Sequence, residues 1–146
     1  MEAENTVVKR LRDKLEQGIL SQITHCFATG DTSNRLPNTS NIAFEYIEGE
    51  AILLLLNKLG IAASSGSACT SGSLEPSHVM RAMGIPYTAA HGTIRFSLSR
   101  WNTEAEVDRV IAAVPPIVKQ LRQLSPYWKG DGPAEAKEAT FAPTYA

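Results

Sequence analysis

The chain has 146 residues, of which 43% are hydrophobic and 20% charged, and its formal net charge is −1. This length and composition are typical of one globular domain with a single core. The near-neutral charge gives no electrostatic basis for binding nucleic acid or an anionic membrane. The longest apolar run, residues 51–56, is too short to span a bilayer, and the first residues lack the pattern of a signal peptide. Two cysteines at unrelated spacing form no disulfide framework, so we expect a cytoplasmic protein.

Hydrophobic periodicity and turn residues predict alternating helices and strands along the chain. In the first half they predict, in order, an amphipathic helix over 4–17 ended by Gly18, a short β-like segment over 22–29, a strand over 40–47, an apolar helix over 50–59 with Gly60 as its C-cap, and a brief strand over 61–63. In the second half they predict a short helix over 76–83, a strand over 93–99 and a last helix that begins at a capping box, Thr103–Glu106.

The last helix contains Pro115 and Pro116, which we expect to kink or split it. Apolar periodicity stops near Ser125, and residues 129–146 are expected to form a disordered tail. The order of elements predicts an α+β fold in which helices pack on one face of a small, mostly antiparallel sheet.

Cys69 lies among small and polar residues, Ser64 to Ser73, that cannot form a core. A structural cysteine is usually buried among apolar side chains, whereas glycine and serine favour an exposed loop. Two interpretations follow: a reactive thiol that meets another molecule, or an ordinary cysteine with a pKa of about 8.5. No basic residue adjoins Cys69 in the sequence to lower that pKa.

The other candidate side chains also leave alternatives open. Arg95, taken alone, is consistent with a surface arginine that pairs with a helix carboxylate. Cys26 follows a β-like run and is expected to be a half-buried packing residue. The three histidines have no ligand spacing with either cysteine, so no metal site is predicted, and capping or exposure is expected for His78 and His91. His91 precedes Arg95 by four residues, so an approach to the same site is its alternative role.

Three segments together match one known family: Arg35–Asn41, Ser64–Cys69 and Ile94–Arg100, the last followed by Asn102–Glu104. They resemble the C-terminal, small domain of a cysteine desulfurase, a class-V aminotransferase-like enzyme of fold-type I that depends on pyridoxal phosphate (PLP). The resemblance covers residues 1–128, and 1–18 is similar to the helix that links the two domains of these enzymes. The segment Ser125–Trp128 is most similar to the nitrogen-fixation (NifS-type) members.

The resemblance implies an activity and roles for individual residues. The enzyme would convert L-cysteine to L-alanine and an enzyme persulfide for iron–sulfur cluster assembly, with PLP weakening the carbon–sulfur bond. Cys69 matches the persulfide-carrying cysteine, which would contact an iron–sulfur cluster only transiently. Arg95 matches the residue that binds the substrate carboxylate, a task that suits a planar guanidinium. Asn38 matches a residue near the substrate site. The implied partners are an iron–sulfur scaffold protein and a second copy in a homodimer.

The lysine that binds PLP in this family, with its neighbouring histidine and aspartate, has no counterpart here. We therefore expect PLP to be held by a missing PLP-binding domain, and this chain to be inactive alone. The alternative is a non-catalytic module, either a persulfide acceptor or an α+β dimerisation domain.

Overall fold

The structure, a computed structural model, describes residues 2–30, 36–65, 92–126, 128–130 and 132–133. Its elements in chain order are α1 (Glu2–Leu20), β1 (Cys26–Ala28), β2 (Thr39–Phe44), α2 (Gly49–Lys58), β3 (Ser64–Ser65), β4 (Thr93–Ser97), α3 (Glu104–Leu124), β5 (Trp128–Lys129) and β6 (Gly132–Pro133). The predicted helix over 76–83 lies outside the described residues. Within the described ranges, none of the helices combines the length and apolar character needed to cross a membrane.

The main sheet has the strand order β1-β2-β4-β3, and each neighbouring pair is antiparallel. The β2–β4 ladder is the longest, with five residue pairs that run from Thr39↔Ser97 to Ala43↔Thr93. Side chains alternate between the two faces of a strand, so each ladder divides its residues into an inner and an outer set. This arrangement confirms the predicted α+β fold.

The core lies between the sheet and the helices. Its buried apolar residues come from one side of each element: Val8, Leu11, Leu15 and Ile19 of α1; Ile42 and Phe44 of β2; Ile52 and Leu56 of α2; Ile94 and Phe96 of β4; and Val107, Val114, Ile117 and Val118 of α3. Burial of each such side chain contributes about 1.5–3 kcal/mol. The described helices therefore cover the inner face of the main sheet, and the polar side chains of β4 lie on its outer face.

The predicted end of the first helix at Gly18 is wrong, because α1 continues to Leu20. A Cβ atom at position 18 would lie 2.6 Å from the Cδ1 atom of Ile111, so glycine allows α1 to approach α3 closely. Ile19 is fully buried one residue later. That burial outweighs the cost of about 1 kcal/mol for a glycine inside a helix.

The capping box of α3 is confirmed. The Glu106 backbone N–H donates to the Thr103 hydroxyl at 3.2 Å, and the Thr103 N–H donates to the Glu106 carboxylate at 2.9 Å. Pro115 and Pro116 do not split the helix, because one helix covers the whole range from Glu104 to Leu124, and the kink that was the other expected outcome stays a prediction. Each proline removes one hydrogen bond, but buried side chains before and after them, Val114 and Ile117, hold both halves of the helix against the core.

The predicted strand over 61–63 is also wrong, since the strand β3 comes immediately after it, at Ser64–Ser65. The Ile61 N–H donates to the Leu56 carbonyl at 2.9 Å, and Ile61 is buried. This residue therefore completes the end of α2. Gly60 has a φ of 78°, as its predicted capping position requires. β2 ends earlier than predicted, at Phe44, and Tyr46 has a φ of 73°.

Part of the predicted tail is ordered. Trp128 and Lys129 pair with Pro133 and Gly132 in a two-stranded hairpin, whereas residues 134–146 lie outside the described ranges. The Trp128 ring lies 4.4 Å from the Arg122 guanidinium carbon, a cation–π distance. Arg122 is buried and donates to the His25 carbonyl at 2.8 Å. The hairpin therefore covers a buried cation, and the expected disorder of residues 134–146 stays a prediction.

Cys26 lies beside this cluster and is half-buried, as predicted. Its thiol donates to the Ile23 carbonyl at a sulfur–oxygen distance of 3.2 Å. Burial raises the pKa of the Cys26 thiol to about 11, while the positive charge of Arg122 partly opposes the shift and Glu45 adds to it. A thiol with so high a pKa is almost entirely protonated at neutral pH, so Cys26 is a poor nucleophile.

We expect Gly92→Ala to destabilise the chain by about 3 kcal/mol. An added Cβ atom would lie 2.0 Å from the Phe44 carbonyl oxygen, and backbone cannot move aside as a side chain can. Gly132→Ala is the matched control, because no atom lies within 4 Å of its added Cβ. Urea unfolding of the purified variants measures both effects. Equal midpoints for the two variants would contradict the close approach at Gly92.

We expect Cys26→Ser to reduce the loss of stability at alkaline pH. The unfolded thiol ionises near its ordinary pKa of about 8.5–9, whereas the folded thiol stays protonated to about pH 11. The contribution of Cys26 is therefore complete below about pH 9 and is lost as the pH rises through 11.

The free energies of unfolding of the original chain and of the Cys26→Ser variant should differ by about 1 kcal/mol more at the upper end of this pH range than at the lower end. This figure allows for the partial exposure of the thiol. The free energy of unfolding, measured in urea at about pH 8 and pH 10.5, tests this. Serine preserves the size of the side chain without ionising. Parallel pH profiles for the two proteins would contradict the raised pKa.

Candidate active site

Arg95 lies in the middle of β4, on the face of the sheet opposite to the core residues of the described helices. Its neighbours Ile94 and Phe96 are buried in the core, so the alternation of the strand directs Arg95 to the opposite side. The Arg95 side chain is exposed. Directly across the two adjoining ladders are Asn41 of β2 and Ser64 of β3. Three strands thus place three polar side chains in one row.

One side of the Arg95 guanidinium is held by the neighbouring strand. Its Nε atom donates to the Ser64 hydroxyl at 3.1 Å. Among the residues that the structure describes, no carboxylate oxygen lies within the 4.0 Å ion-pair distance of Arg95. The alternative, a surface arginine paired with a helix carboxylate, therefore finds no support among the described carboxylates. An arginine with free donors on an open face can bind the carboxylate of a small molecule.

Ser64 stands at the beginning of the segment that carries the candidate thiol. Ser64 and Ser65 form β3, and the register Ser64↔Arg95 anchors this strand to β4. Cys69 lies outside the described residues, as do His78 and His91. The five peptide steps from Ser64 to Cys69 span at most about 18 Å.

Asn38 occupies a different place from Arg95 along the β2–β4 pair. The Leu98 N–H donates to the Asn38 carbonyl at 2.8 Å, and Leu98 follows Arg95 by three residues in the sequence. At the rise of a strand this separation is roughly 10 Å. The Asn38 side-chain oxygen accepts from the Thr39 hydroxyl at 3.2 Å. The structure therefore brings Asn41, rather than Asn38, alongside Arg95.

Sequence reasoning overlooked Asn41 and Ser64 as site residues. Both belong to the segments that carry the family resemblance, and Asn41 falls between the buried residues Ser40 and Ile42 in an alternating pattern. That alternation indicates an outward side chain. Only the register between strands shows that Asn41 and Ser64 flank the same arginine.

His25 lies near the β1 edge of the sheet, two strands from β4. Its Nδ1 atom is 3.5 Å from the Glu45 carboxylate, and its ring contacts Trp128 edge-on with centroids 5.5 Å apart. Within the described ranges, no three or more histidine, cysteine, aspartate or glutamate residues cluster in a way that could hold a metal ion.

The described lysines lie outside the main sheet. They lie on helices or in the C-terminal hairpin, at Lys9, Lys14, Lys58, Lys119 and Lys129. The Lys14 ammonium lies 2.9 Å from Asp108 and 3.3 Å from Glu104, and the hydrogen bond with Asp108 is the main cause that raises the pKa of Lys14. A lysine that forms a Schiff base must lose its proton, which requires a lowered pKa.

Comparison with known proteins relates this architecture to one family. The family model described as aminotransferase class-V matches residues 1–110. A cysteine desulfurase from Azotobacter chroococcum mcd 1 is 77% identical over 145 residues, which are 99% of this chain and 37% of that protein. The cysteine desulfurase NifS of Azotobacter vinelandii is 76% identical over 145 residues, which are 99% of this chain and 36% of that protein.

Solved structures show the same relationship. A NifS-like protein has a TM-score of 0.65 and 31% identity, and the match covers 80% of this chain and 28% of that one. The NifS-like protein from Rickettsia africae ESF-5 has a TM-score of 0.65 and 29% identity, covering 79% of this chain and 29% of that one. The chain spans about a third of the length of the curated relatives it matches. By its match to the family model, the chain belongs to the class-V aminotransferase family.

Proposed function

We propose that this chain forms the small C-terminal domain of a cysteine desulfurase that supplies sulfur for iron–sulfur clusters, in the branch associated with nitrogen fixation. The observation that carries the proposal is the exposed Arg95, which is bonded to Ser64 at the start of the segment that leads to Cys69. The relatives named cysteine desulfurase support it, at 77% and 76% identity.

Arg95 binds the carboxylate of L-cysteine in this proposal. Its side chain is exposed, and none of the described carboxylates competes for its donors. Two parallel N–H···O bonds orient a carboxylate as well as attract it, which a lysine ammonium cannot do. Asn41 adds an amide beside this position, and Asn38 keeps the role near the substrate site that the family resemblance implies.

Cys69 accepts the sulfur atom of the substrate. Its thiolate attacks the sulfur of L-cysteine, so a sulfur–sulfur bond forms and the carbon–sulfur bond of the substrate breaks. The released carbon takes the electron pair and a proton to give L-alanine, and the enzyme keeps a persulfide. The overall reaction consumes one cysteine and one thiol and needs no external oxidant.

The remaining parts of the enzyme lie outside this chain. In this proposal PLP belongs to a second domain, as the family resemblance implies. The persulfide passes to an iron–sulfur scaffold protein in the cytoplasm, and the complete enzyme is a homodimer. The chain alone is inactive.

We expect Cys69→Ala to abolish sulfide release in a hybrid enzyme. The hybrid joins this chain behind the N-terminal part of the Azotobacter vinelandii relative, since their sequences are 76% identical over the shared part. Alanine removes only the attacking sulfur, so the absorbance band of bound PLP should persist while sulfide release from L-cysteine stops. Cys26→Ala is the control and should retain activity, because its thiol is protonated and bonded to Ile23.

Sulfide release by the Cys69→Ala hybrid would contradict the role of Cys69. The alternative of a persulfide acceptor is tested by mixing the 146-residue chain with a separate, active desulfurase and L-cysteine. A persulfide on Cys69 in mass spectrometry, together with an inactive hybrid, would favour the acceptor function.

We expect Arg95→Lys to raise the KM for L-cysteine in the hybrid by roughly tenfold to a hundredfold, the loss that one or two charge-assisted hydrogen bonds correspond to. Lysine keeps the charge but cannot form the paired bonds. Arg10→Lys is the matched control, since Arg10 is an exposed residue of α1 that pairs with Glu104. Initial rates of alanine formation give kcat and KM separately. Equal KM values for both variants would exclude Arg95 from carboxylate binding.

A further inference from the structure

We propose that Ser64 is a positioning residue that commits Arg95 to bind the substrate carboxylate through its two terminal nitrogens. The inference rests on the proposed function of Arg95 as the carboxylate-binding residue. It goes beyond that function by assigning which edge of the guanidinium binds the substrate and which residue makes the choice.

A guanidinium offers a carboxylate two edges that can each form a pair of parallel hydrogen bonds. One edge contains Nε and one Nη atom, and the other contains both Nη atoms. In Arg95 the Nε–H already donates to the Ser64 hydroxyl at 3.1 Å. The first edge is therefore occupied. The Nη1–Nη2 edge can donate two parallel hydrogen bonds to a carboxylate.

The position of Ser64 is fixed by backbone pairing as well as by this contact. Ser64 lies directly opposite Arg95 in the β3–β4 ladder, and Ser65 lies opposite Ile94, which is fully buried. Side chains directly opposite on one face of an antiparallel pair have Cβ atoms about 4.5–5.5 Å apart. A serine hydroxyl at this position reaches Nε without further support.

The same contact relates Arg95 to the proposed thiol. Ser64 begins the stretch of sequence that leads to Cys69, so one residue anchors both the base of that stretch and the orientation of the guanidinium. Ser64 thus contacts the proposed carboxylate-binding group and is also the residue from which the chain runs on to Cys69. A substrate held end-on by Arg95 has its direction set relative to the strand that carries the thiol segment.

Nitrogen-15 NMR of arginine side chains in the 146-residue chain tests the contact without any enzyme activity. The Arg95 Nε–H signal, assigned by its loss in Arg95→Lys, should exchange with water at least severalfold more slowly than the signals of exposed arginines. Ser64→Ala should remove this protection, and Ser64→Thr should restore it because threonine keeps the hydroxyl. Ser97→Ala is the matched control, since Ser97 is an exposed serine two positions along the same strand.

Kinetics of the hybrid enzyme test the consequence for substrate binding. Ser64→Ala should raise the KM for L-cysteine roughly threefold to tenfold, the range of one hydrogen bond, and leave kcat within about twofold. Ser64→Thr should return KM to the starting value, and Ser97→Ala should not change it. If Ser64 had a merely structural role, Ser64→Ala would lower kcat and the stability of the protein, and Ser64→Thr would not restore them.

The possible results distinguish a failure of the Ser64 assignment from a failure of the proposed desulfurase function. Unprotected Nε–H in the unsubstituted chain, or protection that survives Ser64→Ala, would overturn the assignment of Ser64 whatever the activity of the hybrid. Normal protection combined with a KM that Ser64→Ala leaves unchanged would overturn the end-on binding mode. A hybrid without desulfurase activity, beside a protected Nε–H, would contradict the proposed function and leave the Ser64–Arg95 contact intact.

Discussion

The antiparallel pairing of β2 with β4 is the constraint on which the rest of the structure depends. It joins the two halves of the chain across about fifty intervening residues and sets the register Asn41↔Arg95. Neighbouring pairs such as Ile42↔Ile94 point inward to the core. A slip by one residue would bury Arg95 and expose its apolar neighbours, so core formation itself selects the register that presents the arginine.

The helices reinforce that register from the inner side. Ser40 of β2 is fully buried and donates to the Glu16 carboxylate of α1 at 2.7 Å. A buried carboxylate needs such partners, so this bond ties the position of α1 to one residue of β2. Gly18 then allows α3 to approach α1 closely. Polar and steric contacts inside the core thus determine where the strands stand, while the outer face remains available for binding.

Local signals in the sequence predicted local structure well. The capping box at Thr103 and the capping glycine at Gly60 depend only on residues nearby in the chain, and the structure confirms both. Gly18 does not end α1, and the two prolines do not split α3, because tertiary burial of Ile19, Val114 and Ile117 outweighs their local preferences. For the site, the family resemblance identified Arg95 as a candidate residue, but its neighbours Asn41 and Ser64 could be found only from the strand register. The roles of Cys69 and Asn38 stay predictions.

The brevity of β1 has a consequence for how this protein behaves among copies of itself. β1 has three residues and stands at one edge of the main sheet. An exposed edge can recruit a strand from another molecule, and its capacity to do so grows with the length of unpaired backbone that it offers. A strand as short as β1 offers little template. This edge of the described sheet therefore does not favour pairing with a strand of a second molecule.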